Sequence, residues 1–238
     1  MTKNALVFDI WANHAYFRKG YTATSTISYP FPSRTTISGI IAAILGLERD
    51  SYYDLFNENN SKISIAILNP IKKFRMNLNY INTKEGWILS DINKQGKRTQ
   101  VRAEFLKDVK YRIYVCLKDE KKMKELFDLI SNHKSVYTPF LGVSECIANF
   151  KLVGDGLFSI EELFINNEGI SIKSVVPTDS NLLIESGKKY GTIKSPGFMN
   201  NERIVTSYIE YYYEENGKPI KISNQSYYKV GKDNVLFF

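Results

Sequence analysis

The chain has 238 residues, of which 43% are hydrophobic, a composition typical of a globular protein large enough to bury a substantial core. It carries 32 lysines and arginines against 25 acidic residues, which gives a net charge of +7. That excess favours an anionic partner, either a nucleic acid or an acidic protein surface. No apolar run approaches the roughly 20 residues of a membrane span, and the start of the chain does not read as a secretion signal, so we expect a soluble cytoplasmic protein with no membrane partner.

Side chains that commonly hold metals or cofactors are few and scattered. Cys116 and Cys146 lack the paired spacing of a zinc knuckle and lie among apolar residues, so we expect buried free thiols rather than a disulfide. Gly154-Asp155-Gly156 does not continue into a dinucleotide-binding motif, and no phosphate-binding glycine loop occurs. The sequence therefore predicts neither a metal site nor a cofactor.

The first elements along the chain are a strand, a loop and a helix. Apolar residues alternate over residues 5–11, which predicts the first strand of a central sheet. The loop that follows is basic and aromatic. Ser33 then caps a helix that continues through Ile44 and ends at Gly46, because serine favours the N-cap and glycine the C-terminal turn.

The middle of the chain alternates between strand and helix patterns. Residues 62–68 and 109–117 are predicted as strands, and residues 119–131 as a helix. Between the two strands, a polar and basic stretch over about 71–105 predicts an extended β-hairpin that leaves the core. With a closing strand at 147–153, these elements predict an α+β fold: a ferredoxin-like (RRM-like) domain with an extended basic β-hairpin insertion.

We expect two regions along the chain. Residues 1–153 form the ferredoxin-like domain, including the insertion. Residues 154–238 contain short apolar runs separated by polar turns, which predicts a mostly β C-terminal region or subdomain.

Cations and aromatic rings are interleaved in the loop before the first helix. Cations can pair with phosphates and aromatic faces can stack on unpaired bases, a combination used to bind single-stranded RNA. The helix N-terminus adds free N–H groups and a dipole that favour an anion. The alternative is that the rings fill the core and the cations only face solvent. The candidate RNA-binding residues here are Tyr16, Arg18, Lys19, Tyr29, Arg34 and Thr35.

The predicted hairpin is rich in lysine and arginine and has few acids before Glu104. Such an arm can follow a phosphate backbone or reach a neighbouring subunit, although a run of surface cations is often only a solvated face. The candidate RNA-binding residues of the hairpin are Lys72, Arg75, Lys97, Arg98 and Arg102.

Two blocks of sequence resemble a known family. The first contains AYFR at residues 15–18, SYPFPSRTT at 28–36 and GIIAAILG at 39–46, and the second is TPFLGVSEC at 138–146. In this order they resemble the fifth CRISPR-associated protein family of type I surveillance complexes, a branch of the repeat-associated (RAMP) superfamily. The resemblance is strongest in these blocks and weak after residue 155.

The resemblance implies a non-catalytic subunit of a CRISPR RNA-guided antiviral complex (Cascade), closest to the type I-B form. Such a subunit binds the repeat-derived 5′ handle of the crRNA, with the hairpin as a thumb-like insertion. It also implies contacts with the backbone and large subunits of the complex. Target DNA would be recognised only through the assembled complex, by base pairing with the guide.

Two alternatives remain open from the sequence. A subset of the family processes precursor RNA, which makes a metal-independent endoribonuclease possible in principle, with histidine, tyrosine or lysine in acid-base roles. The chain has two histidines, His14 and His133, and no recognisable Tyr/Lys/His constellation joins them. The other alternative is a generic RRM-like RNA-binding or assembly module.

Overall fold

A computed structural model of the chain describes residues 4–22, 26–81 and 98–238. Within these ranges it contains two helices and thirteen strands, and all strand pairs named below are antiparallel. Neither of the helices in the described ranges has the length and apolarity that a membrane span requires. The predicted α+β class is therefore confirmed.

Most of the main sheet is built by the first 165 residues. Their elements are β1 Asn4–Ala15, α1 Arg34–Leu45, β2 Ser61–Ile67, β3 Lys72–Ile81, β4 Arg98–Leu117, α2 Glu120–Ser131 and β5 Asn149–Ile165. Four of these strands lie in the order β5-β1-β4-β2, while β3 pairs with the N-terminal half of β4. The chain thus follows the predicted order of strand, helix, two strands, helix and strand, with β3 as the added strand of the hairpin.

The rest of the described chain is β-structure and turns. Its strands are β6 Ile170–Ile172, β7 Val176–Pro177, β8 Asn181–Leu183, β9 Tyr190–Met199, β10 Val205–Glu214, β11 Ile220–Ser223, β12 Gln225–Val230 and β13 Asp233–Val235. Strands β12 and β13 extend the main sheet beyond β5, and the others form two three-stranded sheets. Because β5 spans residues 149–165, the boundary expected at residue 154 falls inside a strand, and the division into two domains stays a prediction.

Both helices begin at side chains that cap them. The Ser33 hydroxyl accepts the backbone N–H of Thr36, and Gly46 ends α1 with a φ of 71°. The Asp119 carboxylate accepts the N–H groups of Lys121 and Lys122 at the start of α2. The helix boundaries predicted from the sequence are therefore confirmed to within a residue or two.

The main core lies between these helices and one face of the sheet. Leu6, Phe8 and Ile10 of β1 are fully buried and belong to the same apolar cluster as Ile41 of α1 and Leu126 of α2. The apolar alternation over residues 5–11 therefore correctly predicted which side chains of β1 face the core.

Cys116 and Cys146 are buried free thiols, as predicted. Burial raises the pKa of Cys116 to about 12, against a smaller opposing effect of Lys62. Burial also raises the pKa of Cys146. Both thiols consequently stay protonated at neutral pH.

The two sequence blocks that carry the family resemblance touch through their backbones. The N–H of Tyr16 donates to the carbonyl of Leu141 at 3.0 Å. The next residue, Gly142, has a φ of 99°, and a Cβ placed there would collide with the carbonyl oxygen of Tyr16. Upstream, the N–H of Val136 bonds to the carbonyl of Ile44 near the end of α1 at 3.1 Å. The second block therefore positions the loop that precedes α1, and the residue two positions before that block contacts the end of α1.

The side chain of Arg34 lies in the interior and is 2% exposed. Its Nε donates to the carbonyl of Phe238 at 2.9 Å, and Nη1 donates to the carbonyl of Phe56 at 2.6 Å. Nη2 donates to the hydroxyl of Ser61 at 2.8 Å, and the guanidinium carbon is 4.0 Å from the ring centroid of Phe198. Burial lowers the pKa of Arg34 to about 10, so the group remains charged at neutral pH.

This burial corrects the sequence-based assignment of Arg34 to RNA. A buried cation is stable only when its donors are satisfied, and here acceptors of the protein itself satisfy them. Arg34 therefore has a structural role. Its hydrogen bonds connect the start of α1 to Ser61 at the start of β2 and to Phe238, which follows β13.

We expect Gly142→Ala to destabilise the fold more than Gly187→Ala. Both glycines have positive φ, but a Cβ at Gly187 meets nothing within 4 Å. The control should therefore lose only about 1 kcal/mol of unfolding free energy, whereas Gly142→Ala adds a backbone collision and should lose about 3 kcal/mol or more. Chemical denaturation of the two variants measures the difference, and equal losses would contradict the close approach.

We expect Arg34→Met to lower the free energy of unfolding by about 3 kcal/mol or more, because buried acceptors lose charged donors. Arg49→Met is the control, since the Arg49 side chain is 76% exposed. Thermal and urea unfolding measure both. A loss no larger than that of the control would show that the Arg34 network contributes little.

Candidate nucleic-acid interface

The hairpin stem formed by β3 and the start of β4 has two different faces. Its register runs from Lys72 opposite Lys107 to Ile81 opposite Arg98, so side chains of paired residues lie on the same face. One face carries Phe74 and Phe105, whose rings are 5.8 Å apart, and packs against the main core. The hairpin is therefore held to the protein through one face, which leaves the other for polar contacts.

The opposite face of the stem is cationic and polar. From the register, it carries the buried Leu106 of the main core at its base and, beyond it, Lys73, Arg75, Asn77, Asn79, Arg98, Gln100, Arg102 and Glu104. Three of the arginines predicted to bind RNA thus share one face of the hairpin, alongside amides that can hydrogen-bond to bases or sugars. We call this the polar hairpin face.

A cleft of about 370 Å³ opens beside the polar hairpin face. Arg75 and Arg102 line it together with Thr26 and Gln100. The carboxylate of Glu104 also lines it, but this group is largely buried and its Oε1 lies 3.2 Å from Nζ of Lys73. The exposed charge of the cleft therefore comes mainly from the two arginines.

Lys72 does not join this face in the structure. Lys72 lies on the core-facing side of the register, and its Nζ is 3.5 Å from Oδ2 of Asp108. Lys97 lies outside the described residues, as do Lys84 and Lys94. The described stem therefore supports a smaller cationic set than the sequence suggested.

The basic aromatic loop after β1 folds back on itself beside the hairpin. The N–H of Lys19 donates to the carbonyl of Ile27 at 3.0 Å, and Arg18 and Ser28 form a β-bridge. The returning segment then makes an isolated β-bridge to β4, in which the N–H of Glu104 donates to the carbonyl of Thr26 at 2.8 Å. The loop is thereby fixed against the cationic part of β4.

The two tyrosines predicted as base-stacking platforms have buried rings. Tyr16 is 5% exposed and stacks on Phe105 with centroids 4.8 Å apart. Tyr29 is 6% exposed, and burial, with smaller effects from Tyr21 and Tyr208, raises its pKa to about 12. Both rings are therefore committed to packing, which corrects their assignment as open stacking surfaces.

Two exposed tyrosines lie close to Tyr29 instead. Tyr21 is 65% exposed and Tyr208 of β10 is 53% exposed. Nζ of Lys19 is 5.6 Å from the Tyr29 centroid and 6.0 Å from that of Tyr21, and Nζ of Lys194 is 5.8 Å from the ring of Tyr208. Exposed rings with cations near them are suited to stack on unpaired bases whose phosphates lie alongside.

Tyr208 and Lys194 were missed by the sequence reasoning. Nearly 180 residues separate them from the loop, and no local pattern links a Tyr on β10 to one near residue 29. Tyr21 was visible in the interleaved loop, but its exposure could not be read from the sequence.

The N-terminus of α1 does not stand in cationic surroundings. Thr35 is half-buried, and its hydroxyl lies 3.0 Å from that of Ser33. The exposed carboxylates of Asp54, Glu58 and Glu202 line the same cleft as Thr35. Negative charge at this end of the helix disfavours a phosphate, so the anion site expected there lacks electrostatic support.

The histidines occupy separate packing positions. The ring of His14 lies 5.2 Å from that of Phe74 at the hairpin, and the ring of His133 lies 5.0 Å from that of Phe150. Among the residues described, no group of three or more histidine, cysteine or acidic side chains is placed to hold a metal ion. The two histidines therefore pack on different strands, His14 beside β3 and His133 beside β5.

Comparisons with known proteins agree with the resemblance read from the two sequence blocks. Residues 5–182 match the family model described as CRISPR-associated protein (Cas_Cas5). No curated protein matches the chain significantly.

Solved structures share the fold at low sequence identity. One is the crystal structure of a CRISPR protein from Archaeoglobus fulgidus, with 15% identity, a TM-score of 0.59 and 98% of each chain covered. Another is a chain of a CRISPR RNA-guided surveillance complex, with 11% identity, a TM-score of 0.51 and 91% of each chain covered. The family match spans most of the chain and includes both blocks, and on that ground the protein belongs to the CRISPR-associated Cas5 family.

Proposed function

We propose that this protein is a non-catalytic subunit of a type I CRISPR RNA-guided complex and binds the repeat-derived 5′ handle of the crRNA. Family membership supports the setting, and one of the similar structures is a chain of an RNA-guided surveillance complex. The observation that carries RNA binding is the polar hairpin face, where Arg75, Arg98 and Arg102 point away from the core. The type I-B form remains the subtype that we propose.

The scaffold that presents this face is, we infer, ferredoxin-like. The order β5-β1-β4-β2 with two helices on one face agrees with a split strand-helix-strand arrangement. In this arrangement, β3 and the first half of β4 extend the hairpin beyond the sheet that the helices cover. An RNA strand could then follow the hairpin without competing with the core.

The proposed site makes two kinds of contact with RNA: ion pairs with phosphates and stacking on bases. Arg75 and Arg102 in the cleft, with Arg18 on the exposed side of the loop, pair with phosphates and set the register of the strand. Tyr21 and Tyr208 supply faces on which unpaired bases stack, which suits single-stranded RNA. Lys19 adds a positive charge beside Tyr21, because its ammonium lies near the rings of Tyr21 and Tyr29.

The remaining surface would serve the assembly. We propose that the backbone and large subunits of the complex contact this chain outside the RNA site. Target DNA then meets the protein only through the assembled complex, where pairing with the guide reads the sequence.

Sequencing of the RNA that copurifies with the tagged protein from its host tests the proposal. We expect a uniform short 5′ end derived from the repeat, followed by diverse spacer sequence. Mixed cellular RNA, or none, would contradict it and favour a generic RNA-binding or assembly module. Cleavage of repeat RNA by the purified protein in a chelator, lost in His14→Ala, would contradict the non-catalytic role.

The two faces of the hairpin predict different effects on RNA affinity. Arg75→Gln/Arg102→Gln should weaken binding of a fluorescent copy of the copurified 5′ segment and lower the slope of log affinity against log salt by about one to two. Lys72→Gln/Lys107→Gln removes the same charge from the core-facing side and should change the slope little. Anisotropy titrations over a series of salt concentrations measure both.

Thermal unfolding of both double variants is the control for folding. Equal losses of affinity in the two variants would show that the RNA does not follow one face. A loss of affinity in Arg75→Gln/Arg102→Gln that matches a loss of stability would assign those arginines a structural role instead.

A further inference from the structure

A second cleft, of about 640 Å³, lies beside the start of α1. Three separate segments form its walls: the first turn of α1, residues 52–59, and the β9–β10 turn with its flanks. Its volume falls within the range of about 300–1,000 Å³ found for sites that enclose a ligand or a large side chain. We call it the acidic cleft for the reason given below.

The acidic cleft is held in shape by the Arg34 network. Arg34 bonds to the carbonyl of Phe56 in one wall, and its guanidinium stacks on Phe198 in another. Within the wall of residues 52–59, the rings of Tyr52 and Phe56 meet edge to face at 6.1 Å. Because these contacts are internal to the protein, the cleft exists before any partner arrives.

Charge in the cleft is opposite to that of the whole chain. Asp54, Glu58 and Glu202 line it with exposed side chains, and within the described residues none of their carboxylates is in an ion pair. Arg34 is the cation among the described lining residues, and it is buried and bonded to carbonyls. Burial lowers the pKa of Arg34, and of the three carboxylates Glu58 lies near enough to raise it by a smaller amount. A protein with a net charge of +7 therefore presents a local site for a cation.

Nearby arginines do not cancel this charge. Nε of Arg203 lies 3.1 Å from Oδ1 of Asp50, and Nε of Arg49 lies 3.5 Å from Oδ2 of the same carboxylate. Both guanidiniums pair with Asp50, which does not line the cleft, and Arg203 also interacts with the hydroxyl of Tyr53, which does. The three lining carboxylates remain open to an external partner.

We infer that the acidic cleft binds an arginine-bearing segment of a protein partner. Guanidinium groups pair with carboxylates through parallel hydrogen bonds and stack on aromatic rings, and the cleft offers carboxylates beside Tyr52 and Tyr53. An RNA strand is disfavoured because its phosphates would face three carboxylates. The site is separate from the polar hairpin face and does not depend on RNA binding there.

Amide NMR of the full-length protein tests this inference with defined peptides. A blocked pentapeptide with two arginines separated by glycine should shift the signals of residues 52–59 and 197–202 in a saturable way. The same peptide with citrulline, which keeps the shape and removes the charge, should shift them at least about tenfold more weakly. Equal responses to the two peptides, or shifts located elsewhere, would overturn the inference.

Paired variants separate the cleft from general charge effects. Glu58→Lys/Glu202→Lys should raise the dissociation constant of the arginine peptide by about tenfold. Glu168→Lys/Asp179→Lys changes the net charge equally at exposed turn residues outside the cleft and should change the constant little. Equal effects of the two variants would overturn the inference.

A single-stranded RNA titration in the same experiment separates this inference from the proposed function. We expect RNA to shift signals of the hairpin and loop and to leave those of residues 52–59 and 197–202 unchanged. RNA shifts centred on the acidic cleft would assign it to nucleic acid and overturn the protein-partner inference. Absence of RNA shifts at the hairpin would contradict the proposed function while leaving the peptide result intact.

Discussion

The buried guanidinium of Arg34 connects parts of the chain that are far apart in sequence. An arginine in the interior needs acceptors for its donors, because an unpaired buried charge is costly. The carbonyls of Phe238 and Phe56 and the hydroxyl of Ser61 meet that need. The start of α1, the loop before β2 and the segment after β13 are therefore positioned together, and displacement of one would leave donors or acceptors unpaired in the others.

The described residues carry two regions of opposite charge. The Arg34 network fixes one wall of the acidic cleft. The loop that leads into α1 instead contacts the hairpin, where Thr26 bonds to Glu104 of β4. Cations are gathered on the hairpin and carboxylates around the N-terminus of α1. At an ionic strength of 0.15 M, charges are screened beyond about 8 Å, so two such regions can act on different partners with little interference.

Periodicity and capping were enough to predict the regular elements, because both depend on neighbouring residues. The apolar alternation of β1, the Ser33 cap and the Gly46 end of α1 all match the structure. Burial of individual site residues could not be predicted in the same way. Arg34 reads as a surface cation beside a helix N-terminus, and only the return of the chain at Phe56 and Phe238 places acceptors around it.

Two other features depend on contacts between distant segments in the same way: the continuation of β5 through residue 154 and the position of Tyr208 near the loop. The sequence predicted a domain boundary at residue 154, yet residues on both sides pair with β1 and β12, and Gly154 and Gly156, with positive φ, lie where the register on β1 shifts within the single strand β5. Likewise, β10 lies beside the loop because Tyr211 and Tyr213 pack edge to face on Phe31, which brings Tyr208 of the same strand near the loop. Interactions between distant segments decide both outcomes, and a single sequence carries no local signal for them.

The hairpin links the stability of the fold to the proposed RNA contact. Its apolar face gains stability from packing of Phe74 and Phe105 on the core, whereas the polar face carries Arg75 opposite Glu104 and Arg102 opposite Asn77. An RNA phosphate would therefore add an attraction at Arg102, whose cross-strand neighbour is uncharged. An isolated two-stranded hairpin is only marginally stable in water. Packing of the apolar face on the core therefore keeps the stem folded, and its charged face in place, before RNA binds.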